Sequence, residues 1–201
     1  MKKTRVLVLG NDPQINQIDF SRLSPDIITL GVNRIWLKHI PNYFFFNDLP
    51  IVTELEKNRL VLSEIISKSI IFSSDLINRD KKIRVPSWIS VHARKNMLYF
   101  PDSVTTSIDI ARNKYFNEGQ YIFYFAGVSL TWQEPSHFWK ELNYVSTNRR
   151  GSSWYSTRFD LIFNNFKRLK ASGLDMISVH PNSRLNKLMR YENIENLYLT
   201  A

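Results

Sequence analysis

The 201-residue chain contains no cysteine, and that one absence removes several chemistries. Disulfides, thiolate nucleophiles and zinc–thiolate sites are excluded, and the composition fits a reducing compartment. Glycine is scarce, and the six present nowhere form Gly-x-Gly-x-x-Gly, so an ordinary dinucleotide loop is missing. The Gly-x-x-x-x-Gly-Lys-Ser/Thr loop of P-loop enzymes is also missing, and so is any Asp-x-Asp pair to hold a divalent ion on a donor diphosphate. His39, His92, His137 and His180 are scattered, without carboxylates at ligand spacing, which argues against a metal site or a resident cofactor. Hydrophobic runs are short. None approaches the roughly 20 apolar residues that cross a bilayer, and Val6-Leu7-Val8-Leu9 ends at Gly10, too soon for the core of a secretory signal. A cytoplasmic protein without a transmembrane segment is the expectation.

What is present points to one globular unit. The length suits a single domain over residues 1–201 with one buried core, and 43% hydrophobic against 22% charged residues is ordinary for a soluble protein. Thirteen Phe, nine Tyr and five Trp are enough to fill most of that core. The net charge of +9 is unevenly spread: from Lys140 to Arg190 there are ten basic residues against three acidic ones. A basic face suits an anionic partner such as phosphates, nucleic acid or an acidic membrane surface, or it is a solvated surface that aids solubility.

No repeat, low-complexity tract or flexible linker interrupts the chain. Arg5–Leu9, Asp26–Leu30, Tyr43–Phe46 and Ser69–Phe72 read as strands, in continuous apolar runs that suit burial on both faces. After a polar middle section, Thr105 or Thr106 can cap a helix with Ile108, Ala111 and Tyr115 on its apolar face. Tyr121–Phe125 is another strand. The polar, aromatic stretch that follows is long for a simple connection, and about 131–158 reads as a functional lid. Thr157 can cap a helix in which Phe159, Ile162, Phe163, Phe166 and Leu169 recur at helical spacing up to Gly173. Asp175–Val179 is a strand, Ser183–Met189 a short helix and Leu197–Leu199 a last edge strand. Strands separated by helices imply an α/β, Rossmann-like domain, with a mostly parallel sheet and helices on both faces.

Three of the early strands end alike, in Gly10-Asn11, Val32-Asn33 and Phe46-Asn47. In an open parallel sheet, ligands bind outside the carboxyl ends of the strands. Asn carries one acceptor and two donors, so it can read a base edge or hold ribose hydroxyls, although it also favours turns for its own sake.

These residues lie in an order that resembles the bacterial lipooligosaccharide sialyltransferases. That family opens with a strand and Gly-Asn-Gly-Pro-Ser-Leu, then an Ile-Asp-Tyr-Ser-Arg-Leu segment. Here Gly10-Asn11-Asp12-Pro13-Gln14-Ile15 is followed by Ile18-Asp19-Phe20-Ser21-Arg22-Leu23. Val32-Asn33-Arg34 and Phe46-Asn47-Asp48-Leu49-Pro50 match its next two strand ends. Thr106-Ser107 matches its Thr-Ser helix start, Ala126-Gly127-Val128-Ser129 its Ser-Gly-Ile-Asp, and Pro181-Asn182-Ser183-Arg184-Leu185 its Pro-Asn-Ser-Leu-Leu. The resemblance spans nearly the whole chain. It implies a metal-independent glycosyltransferase with a CMP-sugar as co-substrate, held by Asn11, Asn33, Asn47, Thr106 and Ser107. A helix amino terminus is a reasonable phosphate seat, because its free N–H groups and dipole favour an anion.

Departures from the family pattern shape the chemistry. Asp12 stands where the family has Gly. Ser136-His137 replaces a Ser-Tyr pair near the donor phosphate, and Ser156 falls where the family has its catalytic-base His. Ser136 is then a donor contact, and His137 the best substitute for the base, since imidazole titrates near neutrality. Arg149, Arg150 and Arg158 could neutralise the leaving phosphate or hold an acidic acceptor. The acceptor expected is a hydroxyl of a glycan. A hydroxylated DNA base is the other version, since the basic segment and Trp132, Phe138, Trp139, Trp154 and Tyr155 suit phosphates and base stacking. A non-catalytic nucleotide- or nucleic-acid-binding module is the rival reading, favoured by Asp12 and Ser156.

Overall fold

The computed structural model describes residues 3–79, 84–93, 102–116, 120–131, 137–138 and 152–199, with 78–79 and 152–156 described as backbone only. Among these residues the strands are β1 (Thr4–Leu9), β2 (Ile28–Val32), β3 (Tyr43–Phe45), β4 (Ile70–Ser74), β5 (Ser90–His92), β6 (Tyr121–Ala126), β7 (Asp175–Ser178) and β8 (Arg190–Tyr191). They form one sheet in the order β5-β4-β3-β2-β1-β6-β7-β8, and neighbouring strands pair in parallel throughout. The helices are α1 (Leu49–Lys57), α2 (Arg59–Lys68), α3 (Ser103–Lys114) and α4 (Ser152–Ala171). This is the expected α/β architecture.

Side-chain alternation explains why the central strands are apolar without interruption. Leu7 and Leu9 of β1 join Phe44, Phe46 and Tyr124 in a core covered by Ile51 and Leu55 of α1 and Ile65 of α2. Val6 and Val8 point the other way, into a core with Phe45 and Phe125 under Ile108 and Ala111 of α3 and Phe166 and Leu169 of α4. The Phe125 and Phe166 rings meet edge to face at 5.1 Å, the favoured aromatic geometry. A strand with a helix layer on each side has no solvent face, so it needs no polar alternation.

Several sequence expectations move. The second strand starts at Ile28 rather than Asp26, because the Ile27 N–H closes a turn onto the Ser24 carbonyl and Asp26 is held by Arg5 at 2.7 Å. Neither Thr105 nor Thr106 caps α3. Asp102 does, its carboxylate taking the Thr105 N–H at 2.8 Å. Thr157 does not start the next helix, which begins at Ser152, since no Gly or Pro after Gly151 stops it earlier. Arg184–Lys187 is a 3-10 turn capped by the Ser183 hydroxyl rather than a longer helix. Leu197–Leu199 is not a strand of the sheet. Asn193 caps a 3-10 turn over Ile194–Leu197, and the chain then bridges antiparallel to Leu23, away from the sheet. No helix among the described residues is long and apolar enough to cross a membrane.

Candidate functional site

The connection direction reverses at β1: later strands run outward through β2 on one side and through β6 on the other. Such a switch point, at the carboxyl ends of the strands, is the general ligand position in open α/β sheets. It is flanked here by the Gly10-Asn11-Asp12 and Gly127-Val128-Ser129 turns. They approach so closely that a Cβ on Gly10 would lie 2.2 Å from the Gly127 carbonyl oxygen, so only glycine fits there. The turns are laced together. Gly10 N–H donates to Ala126 O at 2.8 Å and Asp12 N–H to Gly127 O at 3.0 Å. The Gln14 amide accepts from Gly127 N–H and donates to Val179 O, both at 2.8 Å, and so stitches β6 to β7.

Asp12 fills the place of the glycine in the family motif. Its carboxylate crosses between the two turns and accepts the N–H of Ser129, the residue at which the family motif carries its own Asp. Burial raises the Asp12 carboxyl to about 6, against an ordinary 3.8, and the contacts with Ser129 offset only part of that.

The three asparagines stand at the ends of the adjacent strands β1, β2 and β3, but they are used differently. Asn11 accepts the Phe138 N–H on its backbone oxygen at 2.9 Å, while its side-chain Oδ1 is buried and has no hydrogen-bond partner among the described residues. Asn33 adopts a left-handed φ of 54°, which Asn tolerates better than most residues, and is buried. Its Oδ1 accepts the Ser103 hydroxyl at 3.2 Å, which ties the end of β2 to the start of α3. Asn47 anchors β4 instead: its Oδ1 accepts the Ser74 N–H at 3.1 Å and the Ser74 hydroxyl at 2.8 Å.

Thr106 and Ser107 lie in the opening turns of α3 and are both fully buried. The Ser107 hydroxyl donates to Val104 O at 2.7 Å, whereas Thr106 Oγ1 has no partner among the described residues. Two amides at this helix start are already engaged. The Asp102 carboxylate takes the Thr105 N–H, and the Thr106 N–H donates to Asp102 O at 3.1 Å. An acidic cap therefore sits at the amino end of α3.

His137 is brought to the β1 end by its neighbour. Phe138 is fully buried, and its carbonyl accepts from Asn16 Nδ2 at 3.1 Å, in addition to the bond with Asn11. Arg158 is half-buried in α4, and Ser156 lies on the same helix with its side chain outside the described set. Ser136, Arg149 and Arg150 lie outside the described residues, as does most of the expected lid. His180 follows β7 at this same end of the sheet. Burial lowers its pKa, and its Nδ1 accepts the Asn182 N–H at 3.2 Å. Among the described residues no group of three or more His, Asp or Glu could hold a metal ion.

Sequence reasoning did not single out Gln14, Asp102, Ser103 or Asn165. Only Asp102 left a signal, as an acidic residue directly before a run of hydroxyl residues that opens a helix.

No protein-family model matches the sequence, and no curated protein matches it. Solved structures do match. The sialyltransferase CstII from Campylobacter jejuni in complex with CMP-3FNeuAc superposes with a TM-score of 0.56 at 13% identity, covering 100% of this chain and 89% of that one. The same enzyme with a trisaccharide acceptor and CMP gives 0.55 at 12% identity, covering 98% of this chain and 89% of that one. The monofunctional α-2,3-sialyltransferase Cst-I from Campylobacter jejuni gives 0.56 at 10%, covering 98% of this chain and 83% of that one. This chain shares their fold.

Proposed function

We propose that the chain is a glycosyltransferase of one domain. In this reading it takes a CMP-sugar at the carboxyl ends of β1, β2 and β3 and transfers the sugar to a hydroxyl of a glycan. The observation that carries this reading is the pair of buried acceptor atoms, Asn11 Oδ1 and Thr106 Oγ1, at this end of the sheet, which have no partner among the described residues. Buried polar groups are normally satisfied, so two orphans here suit a ligand that completes them. The CMP and trisaccharide complexes of the structural neighbours supply the chemical class of that ligand.

In this reading Asn11, Asn33, Thr106 and Ser107 line the donor site with Ser136, and Asn47, whose side-chain oxygen holds Ser74, supports the site from the β3 end. The acceptor hydroxyl oxygen attacks the anomeric carbon. A new C–O bond forms as the bond to the CMP phosphate breaks, and the hydroxyl proton passes to a base. His137 is assigned that role, because Ser156 at the family position is no base at neutral pH. Arg149, Arg150 and Arg158 balance the departing phosphate or an acidic acceptor. Metal is not required of this residue set.

The test is titration with CMP and with UDP and GDP, followed by incubation of a CMP-sugar with and without a trisaccharide acceptor, read by mass spectrometry. CMP should bind best, and sugar should move to the acceptor with slow leakage to water. His137→Ala should cut turnover at least a hundredfold while CMP affinity stays within threefold. Absence of both CMP binding and donor hydrolysis would overturn the reading. Binding without hydrolysis would favour the non-catalytic module that Ser156 suggests.

A further inference from the structure

Asn165 is a polar residue on the buried face of α4, between Phe163, Phe166 and Leu169, and it is fully buried. An apolar side chain would pack there at less cost, since a buried amide must be hydrogen-bonded to be tolerated. Its Nδ2 reaches the Asp102 carboxylate at 3.0 Å and Thr105 Oγ1 at 3.1 Å. Asp102 in turn caps α3 through the Thr105 N–H and also accepts the Thr105 hydroxyl. Burial pushes the Asp102 carboxyl up, with Thr105 and Asn165 pulling it back. A solvent-exposed Asp would cap a helix without any of this desolvation. The extra cost goes with position: the next residue, Ser103, donates to Asn33 Oδ1 at 3.2 Å, and Thr106 begins the following turn.

We propose that Asp102 and Asn165 form a positioning pair. Together they lock the first turn of α3 between α4 and the end of β2, and so set where Asn33 and the Thr106 hydroxyl meet the ligand. Neither residue touches the ligand. The pair acts through Ser103 on Asn33, whose left-handed backbone needs an external restraint, and through the helix axis on Thr106. The nucleotide part of this inference rests on the proposed donor site; the mechanical part does not.

The experiment compares the wild-type chain with Asp102→Asn, Asn165→Asp, Asn165→Leu and the exchanged pair D102N/N165D. CMP affinity is measured by calorimetry at 20 °C, and amide hydrogen exchange is followed at Asn33, Thr105 and Thr106. In D102N one amide faces another, and in N165D one carboxylate faces another. The exchanged pair restores one of each, and the amide oxygen introduced at position 102 can still cap Thr105. Each single substitution should weaken CMP binding at least tenfold and speed exchange at all three amides. The exchanged pair should recover affinity to within about threefold of wild type, with slow exchange restored. A pair that serves stability alone would lower the melting temperature and leave the affinity of the folded protein unchanged, which overturns the proposal. An exchanged pair no better than its two single substitutions combined also overturns it. If the wild-type chain binds no CMP, the donor-site reading fails by itself. The exchange data then decide: protection at Asn33 unchanged in Asn165→Leu refutes the pair, and protection lost there and regained in D102N/N165D upholds it.

Discussion

The two flanks of the candidate site are built from the same residue types and are spent in opposite ways. On the β3–β4 flank, Asn47 gives its side-chain oxygen to Ser74, and the Ser73 hydroxyl donates to Phe46 O at 2.5 Å, so the polar atoms close on one another. At the ends of β1 and α3, Asn11 Oδ1 and Thr106 Oγ1 are buried without partners among the described residues, and Asp12 holds a carboxylate that resists ionisation. Satisfied polar groups stabilise a fold, whereas unsatisfied ones cost it and persist where another molecule completes them. In the proposed reading the first flank is scaffold and the second receives the ligand.

That contrast makes opposite demands on substitutions. The largest effect is expected from Asn47→Ala, which orphans the buried Ser74 N–H and hydroxyl and should cost about 3 kcal/mol of stability in urea melts. CMP affinity of the folded variant should change far less; an affinity loss without a stability loss would erase the distinction between the flanks. Next comes Asp12→Asn. Because the folded carboxyl titrates at about 6 instead of 3.8, the native state holds its proton more tightly than the unfolded chain. This contribution is complete below about pH 4 and is lost as the pH rises through 6. Asn removes the loss and can still accept the Ser129 N–H. The variant should therefore match the wild type near pH 4 and exceed it by about 3 kcal/mol at pH 8. A constant offset across that range would mean that the carboxylate is not strained.

Thr106→Val removes the orphan hydroxyl at nearly constant volume. It should raise stability by about 1 kcal/mol and weaken CMP binding roughly tenfold. A gain in stability with no loss of binding would place Thr106 with the scaffold. The smallest expected effect is none: prolonged chelation should leave donor turnover unchanged, and restoration by magnesium or manganese after a loss would contradict the metal-free reading.

Legibility in the sequence followed burial. β1 and β6 stand out because both their faces meet helices, so their apolar runs are unbroken. β5 and β8 lie at the sheet edges and consist of Ser90–His92 and Arg190–Tyr191, too short and too polar to mark a strand. α2 is blurred because Leu60 is 87% exposed, so an apolar residue there does not mark the inner face. At α3 the trouble is excess: Asp102, Ser103, Thr105, Thr106 and Ser107 are all residues that cap helices, and only the three-dimensional contacts choose Asp102 among them. The asparagines were readable as a set at strand ends. Their division into anchor and orphan was not, because it depends on Ser74 and Ser103, which reach them from other elements.

The place of β1 in the sheet also bears on how the chain is made. Its first neighbour, β2, follows soon after, but its other neighbour is β6, which begins only at Tyr121. During synthesis Val6 and Val8 are therefore translated long before Phe123 and Phe125, or Phe166 of α4, exist to cover them. Contacts between such distant segments form slowly, and an apolar strand waiting for its partner can pair with another chain in the meantime. The switch point is thus also the last seam of the sheet's centre to close, and a nascent chain halted before β6 would expose its most apolar edge.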